Sequence, residues 1–156
     1  MNSPRGHRES SGFSLPEVTL ALGLLAGVLI SLSGLFVMAD RLMRGGKSQT
    51  EALTVARNIL EDTDAWHFRG LYERFGIDGS AASYTIDSRT SAEAAGWQAD
   101  LDRGLHSAHA EISLESIAAS GSPPPLANAS AVRVTVTVFW LQATAQQSVR
   151  VATVRM

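Results

Sequence analysis

The chain has 156 residues, with 13 Lys and Arg against 15 Asp and Glu and a formal net charge of −2. This length fits one small domain with a short addition and excludes a large multidomain enzyme. The basic residues are dispersed, which predicts no nucleic-acid contact, because binding to phosphates requires clustered Lys and Arg. There is no cysteine, which excludes a disulfide framework, a thiolate nucleophile and Cys-ligated zinc.

A long uncharged segment lies near the N-terminus. Residues 18–39 carry no charge over about 22 residues, which is enough to cross a hydrocarbon core of roughly 30 Å as a helix. The mean hydropathy of the whole chain is near zero only because the remainder is polar. The segment predicts a membrane-spanning helix, and Val18, Leu25 and Leu35 are among its apolar residues.

Three kinds of N-terminal segment fit this pattern. A secretory signal peptide would be cleaved after Val37-Met38-Ala39, but its apolar region is normally only about 7–15 residues long. An uncleaved signal anchor fits the length of the apolar segment. The positive-inside rule alone does not orient such an anchor, because basic residues flank the segment on both sides, at Arg5, Arg8, Arg41, Arg44 and Lys47.

The third interpretation accounts for Glu17, a carboxylate at the edge of the apolar segment. Carrying a carboxylate to the bilayer centre costs about 2.5–3.5 kcal/mol, so such a residue is a functional hypothesis by default. The string Gly12-Phe13-Ser14-Leu15-Pro16-Glu17-Val18, with the apolar run behind it, resembles the prepilin-type cleavage and methylation motif of type IV pilins and type II secretion pseudopilins. Pro16 departs from the aliphatic residue commoner there, and proline is tolerated in a first helical turn.

The resemblance implies that a prepilin peptidase cleaves between Gly12 and Phe13 and N-methylates Phe13. It also implies that Glu17 pairs with the Phe13 amine of a neighbouring subunit during assembly. The implied partners are this peptidase, other pilins or pseudopilins in a helical fibre, membrane lipid before assembly and, indirectly, an inner-membrane platform protein with its assembly ATPase. The chain would then be a minor structural subunit without catalytic residues, cofactor or metal, anchored by a single pass in the bacterial inner membrane with its C-terminal domain outside the cytoplasm.

After the apolar segment, residues 40–66 keep the residue spacing of a helix. Apolar residues recur there at three- and four-residue spacing, at Leu42, Leu53, Ala56, Ile59 and Leu60, which predicts an amphipathic helix. Gly45-Gly46 predicts a hinge or short break, since each glycine costs about 1 kcal/mol relative to alanine. The chain thus divides into a leader (1–12), a transmembrane half-helix (13–39), an amphipathic half-helix (40–66) and a small extracytoplasmic domain (67–156).

The C-terminal part alternates as strands do. Residues 66–105 read as a long loop with one short alternating run at residues 83–87, and clearer strands are predicted at 108–117, 131–141 and 148–155. The last two predict an antiparallel hairpin, and the proline-rich stretch 120–130 predicts an exposed connection. The fold class is α+β, with a long N-terminal helix packed on a small antiparallel sheet of three or four strands, which agrees with the pilin fold that the resemblance implies.

Several groups of residues suggest metal binding, catalysis or modification, and each of them also has an ordinary structural explanation. His106 and His109, with His67 or Asp102, suggest a metal site, and Asp100 and Asp102, with Asp78 or Asp87, suggest calcium, but neither set has a binding-loop pattern. Glu61, Asp62 and Asp64 are better explained as a solvated helix face than as an acid and base. Asn128-Ala129-Ser130 matches a glycosylation sequon, and Trp66, Trp97 and Trp140 are expected in the core or at an interface. The competing function is an anchored or secreted soluble domain with a binding or enzymatic activity.

Overall fold

The computed structural model describes residues 12–156, so the leader residues 1–11, with Arg5 and Arg8, lie outside the described part. One helix, α1, runs from Leu15 to Asp64 without interruption. The sequence predicted a hinge or a short break at Gly45-Gly46. A break is wrong, because the helix continues through both glycines, and a hinge stays a prediction. Two glycines cost only about 2 kcal/mol together, and the neighbouring turn gains an ion pair between Lys47 and Glu51 at 3.7 Å.

The chain divides into two compact units between Met43 and Arg44. In the first unit the apolar side chains of α1 are exposed all around the helix. Within residues 12–156, α1 is the only helix long and apolar enough to cross a membrane. Its hydroxyl groups are satisfied internally, since Thr19, Ser31 and Ser33 each donate to the main-chain carbonyl four residues earlier, at 2.8–2.9 Å.

The second unit contains a four-stranded antiparallel sheet in the order β1-β2-β3-β4. Its strands are β1 (Ser83–Asp87), β2 (His109–Ser116), β3 (Val132–Gln142) and β4 (Ala145–Arg155). The three strands predicted at 108–117, 131–141 and 148–155 are confirmed, as is the final hairpin, although β4 begins three residues earlier than the alternation indicated. The short alternating run at residues 83–87, which by sequence fits a strand or a turn, is a strand. The α+β class is confirmed in the same way.

The inner face of the sheet forms the core with the C-terminal half of α1. Alternate residues of β3 are almost completely buried, and they pair with buried residues of β2, as in the row Ile86, Ile112, Val136 and Val151. From α1 the buried side chains are Ala52, Ala56, Ile59, Leu60 and Thr63. These positions share one helical face, so the amphipathic prediction is confirmed for this half, whereas Leu42 lies outside the stripe and is exposed.

Two short helices occupy the stretch predicted as a loop. They are α2 (Gly70–Glu73) and α3 (Ala95–Gly104), and α3 buries Trp97 and Leu101. Only two of its ten residues are buried, so its apolar signal in the sequence is weak. In the proline-rich connection a single 3₁₀ turn, Leu126–Asn128, anchors the loop through the buried side chain of Leu126.

Candidate processing and assembly site at the start of the long helix

The residues of the motif lie together where α1 begins. Gly12, Phe13 and Ser14 are non-helical and exposed. The Ser14 carbonyl accepts hydrogen bonds from the amides of Glu17 at 3.0 Å and Val18 at 3.1 Å, which closes the first turn of the helix. The Gly12–Phe13 peptide bond therefore lies outside the helix, in backbone without helical hydrogen bonds, which is the state that an extended protease substrate requires.

Pro16 and Glu17 suit the first turn of α1. Proline at this position loses nothing, because the first amides of a helix have no intrahelical partner. Glu17 is exposed and is the only charged residue between Gly12 and Ala39. A carboxylate in the first turn interacts favourably with the positive end of the helix dipole, so the position suits the helix locally even though lipid penalises the charge.

The predicted membrane-spanning residues differ sharply from core residues of the same type. Leu25 is 55% exposed and Leu35 is 64% exposed, whereas Leu114 in β2 is 0% exposed. Val18, at the start of the apolar run, is likewise exposed. An apolar surface that surrounds the whole helix is typical of a segment whose surroundings are lipid or other helices rather than one protein core.

The histidine candidates do not converge. His109 stacks on Phe139 across the β2–β3 pair, with 5.0 Å between ring centroids. In residues 12–156, no three histidine, aspartate or glutamate side chains form a group that could hold a metal ion. The structure therefore does not bring His106 and His109 together with His67 or Asp102, as the metal hypothesis required.

The aspartates suggested for calcium each interact with protein donors instead. Asp78 accepts from the Tyr84 hydroxyl at 2.8 Å and the Ser80 amide at 3.0 Å. The Ser80 amide, followed by Tyr84, lowers the pKa of Asp78. Asp87 accepts from Arg89 Nε at 3.0 Å, and this guanidinium lowers the pKa of Asp87 to about 2.

The two aspartates of α3 follow the same pattern. Asp100 pairs with Arg103, and Asp102 accepts from Gln98 Nε2 at 2.9 Å. All four carboxylates suggested for calcium thus have local partners in the protein, and none of them lies in a group of three potential metal ligands within residues 12–156.

The acidic end of α1 is exposed, as the solvated-face interpretation predicted, but two of its carboxylates also hold other elements. Asp62 accepts from Trp97 Nε1 of α3 at 2.8 Å. Asp64 pairs with Arg155 of β4 at 3.2 Å. Arg155 also donates from Nη1 to the carbonyls of Thr63 at 2.9 Å and Trp66 at 2.8 Å, and so caps a helix that has no basic residue in its own last turn.

The tryptophans lie in the core or beside it, as predicted. Trp97 and Trp140 are buried. Trp66 is half-buried and stacks on Trp97 with 5.9 Å between ring centroids, and the Arg74 guanidinium lies 4.7 Å from the Trp66 ring centre. Asn128 of the sequon is exposed in the 3₁₀ turn.

The outer face of the sheet, opposite the core, is polar. It carries a shallow cavity of about 480 Å³ lined by hydroxyl, Glu and Arg side chains from all four strands, among them Glu111, Glu115, Arg133 and Arg150. Arg133 pairs with Glu115 at 3.2 Å across β2 and β3. The named charged residues of this face are thus two acidic and two basic side chains, of which Glu115 and Arg133 are paired.

Comparison of the chain with protein-family models, curated proteins and solved structures gives no match. The functional argument therefore depends on the residues themselves. Among them, the start of α1 combines an accessible peptide bond, one isolated carboxylate and a uniformly apolar stretch of helix at residues 18–39.

Proposed function

We propose that the chain is a structural subunit of the minor pilin or pseudopilin kind, belonging to a type IV pilus or a type II secretion-like fibre. The observation that carries the proposal is the exposed Gly12–Phe13 bond in front of a helix whose first part, up to Ala39, is apolar on every side and has Glu17 as its only charge. The residue order around that bond matches the prepilin-type motif. The proposal adds that the subunit lies in the bacterial inner membrane, with residues 67–156 outside the cytoplasm.

The chemistry belongs to partners of the chain. A prepilin peptidase removes residues 1–12 and methylates the new amine of Phe13, without any catalytic residue of this protein. The new amine and the Glu17 carboxylate then carry opposite charges close to the apolar segment. Pairing between the Phe13 amine of one subunit and Glu17 of its neighbour offsets two charges that lipid penalises. Helix packing in the fibre core and this charge pair are the chain's own contribution to assembly.

The mature N-terminus tests the proposal. The full chain is produced with a prepilin peptidase, and intact mass and N-terminal sequencing are measured on membranes, with a peptidase-deficient strain as control. We expect a chain that begins at Phe13, one methyl group heavier than its sequence, and absent from the control strain. Gly12→Val should block cleavage because the added side chain would prevent the close approach of the backbone to the peptidase, and Gly23→Val, inside the helix, should leave it unchanged.

Two other outcomes would contradict the proposal. A chain that begins at Asp40 would indicate signal-peptide cleavage, and one that begins at Met1 would indicate an uncleaved anchor. Either result would leave residues 40–156 as a secreted or tethered domain whose activity must be sought elsewhere.

Glu17→Ala tests the assembly step separately. We expect normal cleavage but at least about a tenfold loss of incorporation into sheared fibres, because about 2 kcal/mol of charge pairing in lipid surroundings is removed. Glu73→Ala, which removes an exposed carboxylate of α2, is the matched control and should assemble normally. Equal incorporation of both variants would exclude the proposed role of Glu17.

A further inference from the structure

The sheet has two edge strands, β1 and β4, and β4 is the longer. It runs for eleven residues and pairs with β3 in unbroken register from Ala145 to Arg155. It contains no proline, lysine or bulge, three of the features by which proteins protect an edge from other strands, and its only charged residues are Arg150 and Arg155. At the opposite edge, β1 presents Ser83 and Thr85, which make no main-chain hydrogen bond outside the β1–β2 ladder within residues 12–156.

The main-chain groups of the two edges are complementary. Ser88 N donates to Ala110 O, and Ser116 N donates to Ala82 O, so the even-numbered residues of β1 bond to β2 and the odd-numbered ones face outward. In β4, a two-residue loop sets Gln142 opposite Ala145, which directs the even-numbered residues outward. An antiparallel alignment that sets Thr85 opposite Ala152 therefore brings outward-facing groups together on both strands.

The same alignment matches the side chains on both faces. On the outer face it sets Asp87, which already pairs with Arg89, opposite Arg150. Arg150 makes no ion pair within residues 12–156, and its Nε donates to Thr137 Oγ1 at 3.3 Å. On the inner face it sets Ile86 opposite Val151, so the apolar row across the sheet continues into the next sheet. Opposite charges and apolar pairs facing each other across strands stabilise sheet pairing.

We propose that β4 of one copy of this chain pairs with β1 of the next copy, so that the sheets of successive copies join edge to edge. The choice of β1 rather than a second β4 rests on the proposed function, which requires all the long helices to run in the same direction. A β4–β4 contact has a two-fold axis normal to the sheet and reverses one helix relative to the other. The β4–β1 contact is heterologous and repeats with the helices parallel, as an open assembly needs.

The number of main-chain groups that β1 can offer limits the size of the contact. The carbonyl of Asp87 already accepts from the amides of Thr90 at 3.1 Å and Ser91 at 3.2 Å. The new ladder thus uses both main-chain groups of Ser83 and Thr85 and the amide of Asp87. A pairing this short buries far less than the roughly 1,200 Å² of a stable interface, so it acts between copies already concentrated in one membrane or fibre.

Cysteine cross-linking of the full chain in membranes tests the contact, because the natural sequence has no cysteine. In the proposed alignment the Cα atoms of residues 85 and 152 of adjacent copies lie about 5.5 Å apart, within disulfide range. Within one chain the two positions are separated by three strand spacings, about 14 Å, which is too far for a disulfide. A chain carrying both Thr85→Cys and Ala152→Cys should therefore form a ladder of oligomers on mild oxidation.

Matched variants define the geometry. Chains carrying Thr85→Cys alone or Ala152→Cys alone should not cross-link, whereas coexpression of the two should give one heterodimer. Thr85→Cys with Ser148→Cys, displaced by four residues or about 13 Å, should give no ladder. In the chain that carries both Thr85→Cys and Ala152→Cys, Arg150→Glu should lower the yield of cross-linked oligomers about two- to fivefold. Adding Asp87→Lys to that variant should restore the yield.

Two results would overturn the proposal. One is cross-linking of Ala152→Cys with itself, which indicates two-fold pairing of β4. The other is the absence of a ladder both for the 85/152 pair and for the second opposed pair, Ser83→Cys with Val154→Cys, in chains whose tryptophan fluorescence shows a native fold. The mature N-terminus is measured on the same membranes, so processing without a ladder rejects only this contact, and a ladder without processing rejects only the pilin-like function.

Discussion

The two halves of α1 contain similar apolar residues but bury them differently. In the first half, Leu25 and Ile30 are 55% and 74% exposed, whereas Ile59 in the second half is 0% exposed. The first half is apolar on every side, and the second restricts its apolar side chains to one stripe between charges such as Arg57 and Glu61. The comparison shows that the two kinds of helix differ in how apolar residues are distributed around the axis rather than in how many there are. A helix that packs on a protein core has them on one stripe, whereas a helix suited to lipid has them on every side.

The second half also shows how the sheet approaches the helix. Two of its fully buried residues are alanines, Ala52 and Ala56, so this face of the helix presents small side chains to the core that it shares with the sheet. The end of this half is fixed by Arg155 and by the bond from Trp97 to Asp62. Substitutions in the first half should therefore change membrane insertion but not the stability of the second unit, and substitutions in the second half should change that stability but not insertion.

The largest effect is expected for Val136→Asp, which puts a charge into the centre of the inner sheet face. Val136 is 0% exposed, and an unpaired buried carboxylate should lower the free energy of unfolding by about 4 kcal/mol or more. Urea unfolding in detergent can be followed by tryptophan fluorescence, because all three tryptophans lie in residues 44–156. Thr135→Asp, on the outer face, is the control and should cost under about 1 kcal/mol.

The corresponding change in the first half is Leu25→Asp. A carboxylate near the middle of the span should cost about 2.5–3.5 kcal/mol of membrane insertion, so the carbonate-resistant membrane fraction should fall. The urea midpoint of the tryptophan signal in detergent should not change, and Leu25→Ile should behave as the natural chain. If Leu25→Asp lowered that midpoint as Val136→Asp does, the two halves would not differ in the way described.

A smaller effect is expected where β4 fastens the end of α1. Arg155→Gln removes the ion pair with Asp64 and the bonds to the carbonyls of Thr63 and Trp66. Hydrogen bonds from a charged donor contribute about 1.5–3 kcal/mol, so the urea midpoint should fall accordingly. Arg103→Gln breaks an exposed ion pair on α3 and should change stability by less than about 0.5 kcal/mol. Equal changes in the urea midpoint for Arg155→Gln and Arg103→Gln would show that Arg155 acts only as a surface charge.

Local patterns made much of this molecule predictable from the sequence. The strands follow from alternation, since one face of β3 is all valine from Val132 to Val138 and is buried. The candidate cleavage site was readable because Gly12, Phe13 and Glu17 are close neighbours in the sequence. A contiguous motif needs no knowledge of tertiary structure.

Contacts between distant residues were not predictable in this way. Arg155 caps carbonyls 89 and 92 residues earlier in the chain, and nothing in its local sequence indicates the target. Helix α3 was missed because tertiary contacts of Trp97 and Leu101, rather than a repeated apolar pattern, fix it. The break at Gly45-Gly46 was predicted from local propensity, which the helix on both sides of the glycines overrides.

A modest pH effect is expected at Asp87, in the second unit. Arg89 lowers the pKa of Asp87 from 3.8 to about 2, so the ionised carboxylate stabilises the fold above about pH 4, and this contribution is lost as the pH falls towards 2. Solvent screening at this exposed pair limits the contribution to under about 1 kcal/mol. Asp87→Asn should therefore lower the urea midpoint at pH 5 but not at pH 2.

The smallest effect is expected at the turn between β3 and β4. Ala143 is the first residue of a two-residue hairpin loop and has φ = 55°, a conformation that costs a residue with a Cβ roughly 1 kcal/mol. Ala143→Gly removes that strain but also loosens the unfolded chain, so the free energy of unfolding should rise by only about 0.5 kcal/mol. Ala152→Gly, in the interior of β4, carries the same entropy cost without strain to relieve and should be destabilising by about 0.5–1 kcal/mol. Opposite signs for these two substitutions in urea unfolding would assign the effect to the turn, and a loss of stability in both would show that the positive φ of Ala143 stores no strain.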